Sequence, residues 1–162
     1  IKQANPDTTV EVLIPDFQGR RELVQQVIDA QPHIIAHNME TVRRLTPEVR
    51  SVARYDTSLS VLEQIAQSGI TCKTGIMVGL GETPQEVEEL MDDLRAIGCQ
   101  ILTIGQYLQP SHRHYNVAEY VTPEQFKRYK ELGLSKGFKQ VESAPLVRSS
   151  YHAEQSLAFL KK

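Results

Sequence analysis

The chain alternates short apolar runs with longer segments of helical periodicity. Four of the apolar runs are rich in β-branched residues, and none of them alternates polar and apolar positions cleanly. These runs are Val10–Ile14, Ile34–Ala36, Gly75–Leu80 and Ile101–Gly105, and Phe138–Val141 is a candidate for a short fifth one. Continuous apolar runs of this length are typical of strands that are buried on both faces of a parallel sheet.

Apolar residues spaced three and four positions apart predict helices between these strands. The three stripes are Leu23, Val24, Val27 and Ile28; Leu59, Leu62, Ile65 and Ala66; and Val87, Leu90, Met91, Leu94 and Ile97. Thr83 and Glu86, with a proline directly after the threonine, predict a capped helix start, and Thr122 repeats this signal. Ser60 with Glu63 is a candidate for a second capping box.

The order of these elements predicts an α/β fold with a parallel sheet and right-handed crossovers. Four strands are too few for a closed barrel, which needs eight. The pattern therefore leaves open a portion of a βα-barrel and an open doubly wound sheet. The first strand begins close to Ile1, which favours a barrel portion whose earlier strands are absent. We expect one domain over residues 1–162, with barrel elements at 8–110 and a C-terminal helix and tail at 111–162.

The composition of the chain excludes some classes of binding partner. The 162 residues are 40% hydrophobic and 23% charged, with a formal net charge of -2. This balance excludes the basic footprint of a nucleic-acid-binding protein, and no apolar run approaches the roughly 20 residues of a membrane span. The two cysteines, Cys72 and Cys99, form no metal-ligand pair, so we expect them to be reduced and buried. With no signal-peptide pattern at the start, the expected location is the cytosol or an organelle matrix.

Polar side chains follow the predicted strands at their carboxyl ends, where βα folds bind ligands. The polar segments are Pro15–Gly19, His37–Thr41, Gly79–Thr83 and Gln106–Pro110, joined by Arg54–Ser58 before the second helix. Caps and turns account for any one of these segments taken alone. Their convergence on one rim favours a common ligand site.

Two segments allow both a structural and a functional interpretation. Gly79 and Gly81 let the backbone approach a flat ligand such as adenine, with Glu82 contributing a carboxylate, but they also fit a strand end and a helix start. The segment is neither a P-loop nor a G-x-G-x-x-G turn. In the tail, Ser149 or Ser150 could cap a helix, or a serine and the preceding arginine could reach a site.

Six stretches together resemble the lipoyl synthases, a family of the radical S-adenosylmethionine superfamily. In chain order they are VEVLIPDF, AHNMETV, RYDTSL, KTGIMVGLGET, LTIGQYLQPS and VRSSYHA, and they span nearly the whole sequence. The resemblance implies a partial (β/α)6 TIM-like barrel, of which the four runs are the last four strands. It also implies two 4Fe–4S clusters, whose cysteine motifs this sequence lacks.

The resemblance also implies where S-adenosylmethionine binds. The superfamily's GxIxGxxE segment corresponds to Gly75–Glu82, with Met77 in the apolar position, and packs against the adenine. The resemblance also implies that Asn38 and Glu40 contact the ribose and that Arg54 or Lys73 binds the methionyl carboxylate. Gln106 and Tyr107 are implied to line the cavity at the last strand.

The implied reaction inserts two sulfur atoms at C6 and C8 of an octanoyl chain on a protein lysine. The C–H bonds there are unactivated, so a cofactor-derived radical is required. The implied partners are an octanoylated lipoyl-carrier domain and an electron donor such as a ferredoxin or flavodoxin. Ser149, with Ser150 as second choice, is implied as a ligand of the auxiliary cluster, and Arg148 is implied beside cluster and substrate. A non-catalytic module that binds an adenine nucleoside is the alternative.

The absence of the cysteine motifs generates the first prediction. We expect the 162-residue chain to stay colourless after iron–sulfur reconstitution and to be inactive alone, because it lacks the thiolates that hold such clusters. Absorption spectroscopy and iron analysis check this expectation. A brown product with cluster absorbance would contradict it.

Overall fold

The computed structural model describes residues 1–149, and their strands form one parallel sheet. The strands pair in the order in which they occur along the chain. Their bounds are β1 Glu11–Leu13, β2 Ile34–Ala36, β3 Thr71–Val78, β4 Ile101–Gln106 and β5 Gln140–Ser143. The fifth strand extends the sheet beyond residue 110, because Gln140 pairs with Ile101 of β4.

Helices alternate with these strands. Their bounds are α1 Arg21–Asp29, α2 Thr46–Val49, α3 Tyr55–Gln67, α4 Pro84–Ala96 and α5 Pro123–Ser135, and a short 3-10 turn occupies Phe17–Gly19. The three predicted apolar stripes lie in α1, α3 and α4, and only Ile97 falls one residue past its helix. Val24, Leu62 and Leu94 from these stripes are fully buried.

The sequential strand order decides between the two architectures that the pattern left open. Right-handed crossovers in one constant direction place every connecting helix on the same face of the sheet, as in a barrel. A doubly wound sheet instead reverses its strand order and carries helices on both faces. The prediction of a partial βα-barrel is therefore confirmed, and the doubly wound sheet is excluded.

The helices pack on the face that we call the outer face. Cys72 of β3 lies there, with its Sγ 3.5 Å from the Leu62 carbonyl of α3. Ser143 of β5 donates from the same face to the Phe126 carbonyl of α5 at 2.8 Å. The main apolar core fills the space between strands and helices, and among its members are Ile35, Val78, Leu102, Ile104, Leu90 and Val141.

Two of the three predicted helix starts are confirmed. Thr83 accepts from the Glu86 N–H, and Glu86 accepts from the Thr83 N–H, which confirms the capping box of α4. Thr122 caps α5 as predicted. The capping box at Ser60 is wrong, because Ser60 lies inside α3, which already begins at Tyr55.

The third and fifth strands differ most in extent from their predictions, and the fifth covers Gln140–Ser143 where Phe138–Val141 was predicted. The third strand covers Thr71–Val78, whereas the apolar run had indicated Gly75–Leu80. Its first half includes Lys73, a charged residue that interrupts the apolar pattern although it is only 1% exposed. The described residues contain no helix long and apolar enough to span a membrane.

Candidate functional site

The face of the sheet opposite the helices carries mostly polar and small side chains. In a parallel sheet, residues paired in register project to the same face, and alternate residues of a strand project to opposite faces. Lys73, Gly75 and Met77 therefore share a face, which we call the inner face. The register adds Thr103 beside Gly75 and Glu142 beside Thr103.

A cavity of about 110 Å³ lies on the inner face, towards the carboxyl ends of β2, β3 and β4. This volume is below the roughly 300 Å³ of an ordinary small-molecule pocket, so the cavity holds only part of a ligand. Its wall is formed by Asn38, Glu40, Gly75, Ile76, Met77, Thr103, Gly105, Val147, Arg148 and Ser149. Four of the predicted site residues, Asn38, Glu40, Arg148 and Ser149, thus come together.

Gly75 keeps this cavity open. A Cβ atom at Gly75 would lie 2.6 Å from Thr103 Oγ1 and 3.1 Å from Asn38 Oδ1, so any larger residue would displace these groups. Asn38 Oδ1 is buried and accepts no hydrogen bond from the part of the chain that is described. A buried acceptor without a partner costs about 1–3 kcal/mol, so a ligand hydroxyl or amine placed here would be stabilised.

Glu40 sits at the cavity wall in an unusual backbone conformation. Its φ angle is 65°, in the left-handed region that non-glycine residues rarely adopt. Its N–H donates to the Gly75 carbonyl at 3.1 Å, and its carbonyl accepts from the Met77 N–H at 2.8 Å. These two bonds to β3 hold the strained residue in place, as is common at functional sites.

The turn after β3 is organised by Glu82. Its carboxylate accepts from the Gly79 N–H at 2.6 Å and from the Leu80 N–H at 2.9 Å. Burial raises the pKa of Glu82, although these backbone hydrogen bonds oppose the rise. Both carboxylate oxygens of Glu82 are thus bound to backbone N–H groups of the turn. Glu82 would therefore affect nucleoside binding indirectly, by fixing the backbone at Gly79 and Gly81, both of which have positive φ angles.

Arg44 ties the loop after β2 to the turn after β3. Its guanidinium donates to the Gly81 carbonyl at 2.8 Å and to the two Glu86 carboxylate oxygens at 2.7 and 3.0 Å. The hydrogen bonds from Arg44, followed by that from the Thr83 N–H, lower the pKa of Glu86 to about 2. A bidentate pair of this kind fixes geometry as well as charge.

Gln106 lies outside the cavity wall. Its side chain projects to the outer face, where Nε2 donates to the Glu119 carbonyl at 3.0 Å and Oε1 accepts from the Val121 N–H at 2.9 Å. It thereby anchors residues 107–121, which also bond to the Gly79 carbonyl through the Ala118 N–H at 2.9 Å. Tyr107 belongs to this strap as well, because its hydroxyl donates to the Tyr115 carbonyl.

The two candidates for the carboxylate partner lie apart from the inner cavity. Lys73 is buried near the amino end of β3, with its Nζ 2.7 Å from Glu11 Oε1. Arg54 precedes α3 and lines a separate cavity on the loop before that helix. Their proposed role in binding the cofactor carboxylate stays a prediction.

A buried chain of hydrogen bonds connects β2 to the same loop. The His37 ring lies 2.9 Å from the Ile14 carbonyl through Nδ1 and 2.9 Å from Ser58 Oγ through Nε2. Arg50 donates to Ser58 Oγ at 2.9 Å, which leaves the serine proton free to be donated to Nε2 of a neutral imidazole. Burial, reinforced by the charge of Arg50, lowers the pKa of His37 although the Ile14 carbonyl opposes the shift.

The sequence does not single out several of these groups. Arg44 and Arg50 stand in a loop with no recognisable motif, and Ser58 resembles any helical serine. Thr103 and Gly105, by contrast, could be found by strict alternation, since both share the phase of Gly75 across the register. Ser150, the second choice for a cluster ligand, lies outside the described residues.

The described residues cannot hold an iron–sulfur cluster by themselves. Within residues 1–149 no group of three or more histidine, cysteine, aspartate or glutamate side chains could hold a metal ion. Cys72 and Cys99 are buried, and a mutual hydrogen bond together with burial raises the pKa of the Cys72 thiol. Neutral thiols enclosed in this way are not available as ligands.

The sequence of this chain is similar to those of known proteins. Residues 1–94 match the model of the radical SAM superfamily. A lipoyl synthase from Bacteroides fragilis is 72% identical over 162 residues, which are 100% of this chain and 56% of that protein. A lipoyl synthase from Treponema denticola is 63% identical over 155 residues, 96% of this chain and 53% of its own length. The chain thus spans about half the length of these relatives.

A solved structure supports the fold. A domain of a pyruvate-formate lyase-activating enzyme from Bacteroides vulgatus superposes with a TM-score of 0.62, covering 83% of this chain and 82% of that chain. The two sequences are only 11% identical, so the similarity concerns the fold alone.

The geometry of Glu82 generates a prediction about the turn. We expect Glu82→Ala to weaken S-adenosylmethionine binding about tenfold, because two turn N–H groups lose their acceptor. Glu82→Gln keeps one acceptor oxygen and should lose clearly less. Calorimetry on the full-length enzyme measures both affinities. Equal affinity in the wild type and Glu82→Ala would contradict the role of the turn.

The buried His37 generates a prediction about pH. Because its pKa in the folded chain lies below the ordinary value of 6.5, the unfolded state binds a proton first as the pH falls. The contribution of neutral His37 to the free energy of unfolding should therefore be complete above pH 6.5 and be lost as the pH falls below that value. Denaturant unfolding at pH 7.5 and 5.5 should show a smaller decrease in His37→Asn than in the exposed control His112→Asn. An equal decrease in both variants would refute this origin.

Proposed function

Because this chain belongs to the radical SAM superfamily, we propose that it forms the nucleoside-binding wall of a lipoyl synthase. The proposed enzyme inserts two sulfur atoms at C6 and C8 of an octanoyl chain carried on a protein lysine. Its co-substrate is S-adenosylmethionine. The high identity to lipoyl synthases supports this choice among the reactions of the superfamily.

The single observation that carries the proposal is the unsatisfied Asn38 Oδ1 above Gly75. The cavity is open because Gly75 lacks a side chain, and its buried acceptor needs a donor. A ribose hydroxyl offers such a donor. Glu40 in the same wall adds a carboxylate that can accept from a second hydroxyl. The residues present therefore fit the sugar portion of S-adenosylmethionine.

The adenine portion belongs beside the turn after β3 in this proposal. Gly79 and Gly81 leave the turn without side chains, and Arg44 and Glu82 hold its backbone from two sides. A preorganised turn loses little conformational entropy when a flat ring packs against it. The methionyl carboxylate has Arg54 as its proposed partner, while Lys73 is already paired with Glu11.

When bound and reduced by an iron–sulfur cluster, S-adenosylmethionine supplies a radical that can take hydrogen from an unactivated C–H bond. The contribution of this chain is to orient the nucleoside and to limit access to the site. Val147 and Arg148 close one side of the inner cavity, and Ser149 lies beside them. These positions support the proposed roles of Arg148 near the substrate and of Ser149 as a ligand at the auxiliary cluster.

The inner face also restricts the path of the substrate. Lys73 and Glu11 form a buried ion pair towards the amino ends of the strands. An octanoyl chain placed against this pair would remove the remaining solvent from the Glu11 carboxylate, whose Oε2 has no hydrogen-bond partner among the described residues. The acyl chain should therefore enter from the carboxyl ends, delivered by an octanoylated carrier domain. A ferredoxin or flavodoxin is the proposed electron donor.

An affinity measurement tests the proposed site. In the full-length enzyme, Asn38→Ala should weaken S-adenosylmethionine binding about fivefold, or roughly 1 kcal/mol for one hydrogen bond. The exposed control Asn5→Ala should bind like the wild type. Calorimetry gives both constants. Unchanged affinity in Asn38→Ala would remove the assignment of the sugar to this cavity.

A further inference from the structure

Charge is unevenly distributed over the connections of this chain. Residues 41–58, which link β2 to α3, carry four arginines but only Glu48 and Asp56 as acids. The next helix, α4, carries five acids and one arginine, although the whole chain has a net charge of only -2. The connection after β2 therefore carries a local positive field on a protein whose net charge is slightly negative.

Three of these arginines surround a shallow cavity of about 440 Å³, and we call this surface the basic rim: Arg43, Arg50 and Arg54. Arg43 is paired with Asp56 at 2.5 Å and with Asp93 at 3.2 Å. The Arg54 guanidinium makes no hydrogen bond or ion pair with any residue from 1 to 149, and the residue is exposed. The Arg50 guanidinium bonds only to Ser58 and to the Met39 carbonyl and has no acidic partner among the described residues. The basic rim therefore keeps positive charge even when Arg54 holds the methionyl carboxylate, as proposed above.

Arg50 connects the basic rim to the end of β2, which borders the inner cavity. Arg50 donates to Ser58 Oγ at 2.9 Å and to the Met39 carbonyl at 3.4 Å, which fixes it at the end of β2. Met39 directly follows Asn38, a residue of the cavity wall. Between Arg50 and Arg54 the loop projects outward, and Val52 at its tip is 93% exposed. A protein that inserts a side chain into the cavity would rest against this loop.

We propose that the basic rim docks an acidic face of the protein that presents the octanoyl-lysine. This inference rests on the proposed function. The lysine arm must reach the inner cavity, so the body of the carrier must lie on the surface next to the mouth. Opposite charges there would steer association, whereas the acids of α4 would repel the same face and so set its orientation.

The experiment changes the charge at Val52, which is 93% exposed and is not one of the proposed cofactor contacts, and S-adenosylmethionine is kept at saturating concentration. The full-length enzyme is prepared as wild type, Val52→Glu and Val52→Lys, with Val52→Thr as a neutral control. Binding of an octanoylated carrier domain is measured at low and physiological salt. Turnover is measured on that domain and on a short neutral peptide containing octanoyl-lysine, which reaches the cavity without docking.

We expect Val52→Glu to weaken carrier binding about tenfold at low salt, since a like charge then faces the acidic partner. Val52→Lys should bind as tightly as the wild type or more tightly, and added salt should reduce the differences. Turnover on the short peptide should be the same in all variants. Equal carrier binding by Val52→Glu and Val52→Lys would overturn the proposal, and so would an equal loss in both. Absence of turnover on either substrate in the wild type would refute the proposed function itself.

Discussion

The handedness of the crossovers is the constraint on which the rest of this structure depends. Five parallel strands in sequential order can be joined by right-handed connections only if the helices share one face. The apolar core is then complete on the outer face, with residues such as Leu62 and Leu90 fully buried. The inner face is released from core packing and can carry Asn38, Thr103 and Glu142, which an ordinary two-sided core would exclude.

The loops at the carboxyl ends are not independent of one another. Arg44 joins the loop after β2 to the Gly81 carbonyl, and the strap at 107–121 reaches the Gly79 carbonyl from the other side. Glu82 satisfies the turn from within. A group of loops connected in this way keeps its shape without ligand, which limits the entropy lost on binding.

Sequence patterns predicted most of the fold because helix starts and apolar periodicity are local signals. The capping box at Thr83 and the strand at Ile34–Ala36 were found for this reason. The pattern placed the third strand too late, since Lys73 is buried only because Glu11, 62 residues away, supplies its partner. Four of the residues proposed for the site, Asn38, Glu40, Arg148 and Ser149, line one cavity, but Gln106 faces outward. Gln106 directly follows Gly105 in β4 and therefore projects to the opposite face, a local alternation that its polarity alone does not reveal.

The central claim is that the cavity above Gly75 receives the sugar of S-adenosylmethionine. A crystal structure of the full-length enzyme with S-adenosylmethionine bound tests this most directly. We expect a ribose hydroxyl within hydrogen-bond distance of Asn38 Oδ1, a buried acceptor that residues 1–149 leave without a donor. A bound nucleoside seated elsewhere, with Asn38 Oδ1 still lacking a partner, would contradict it.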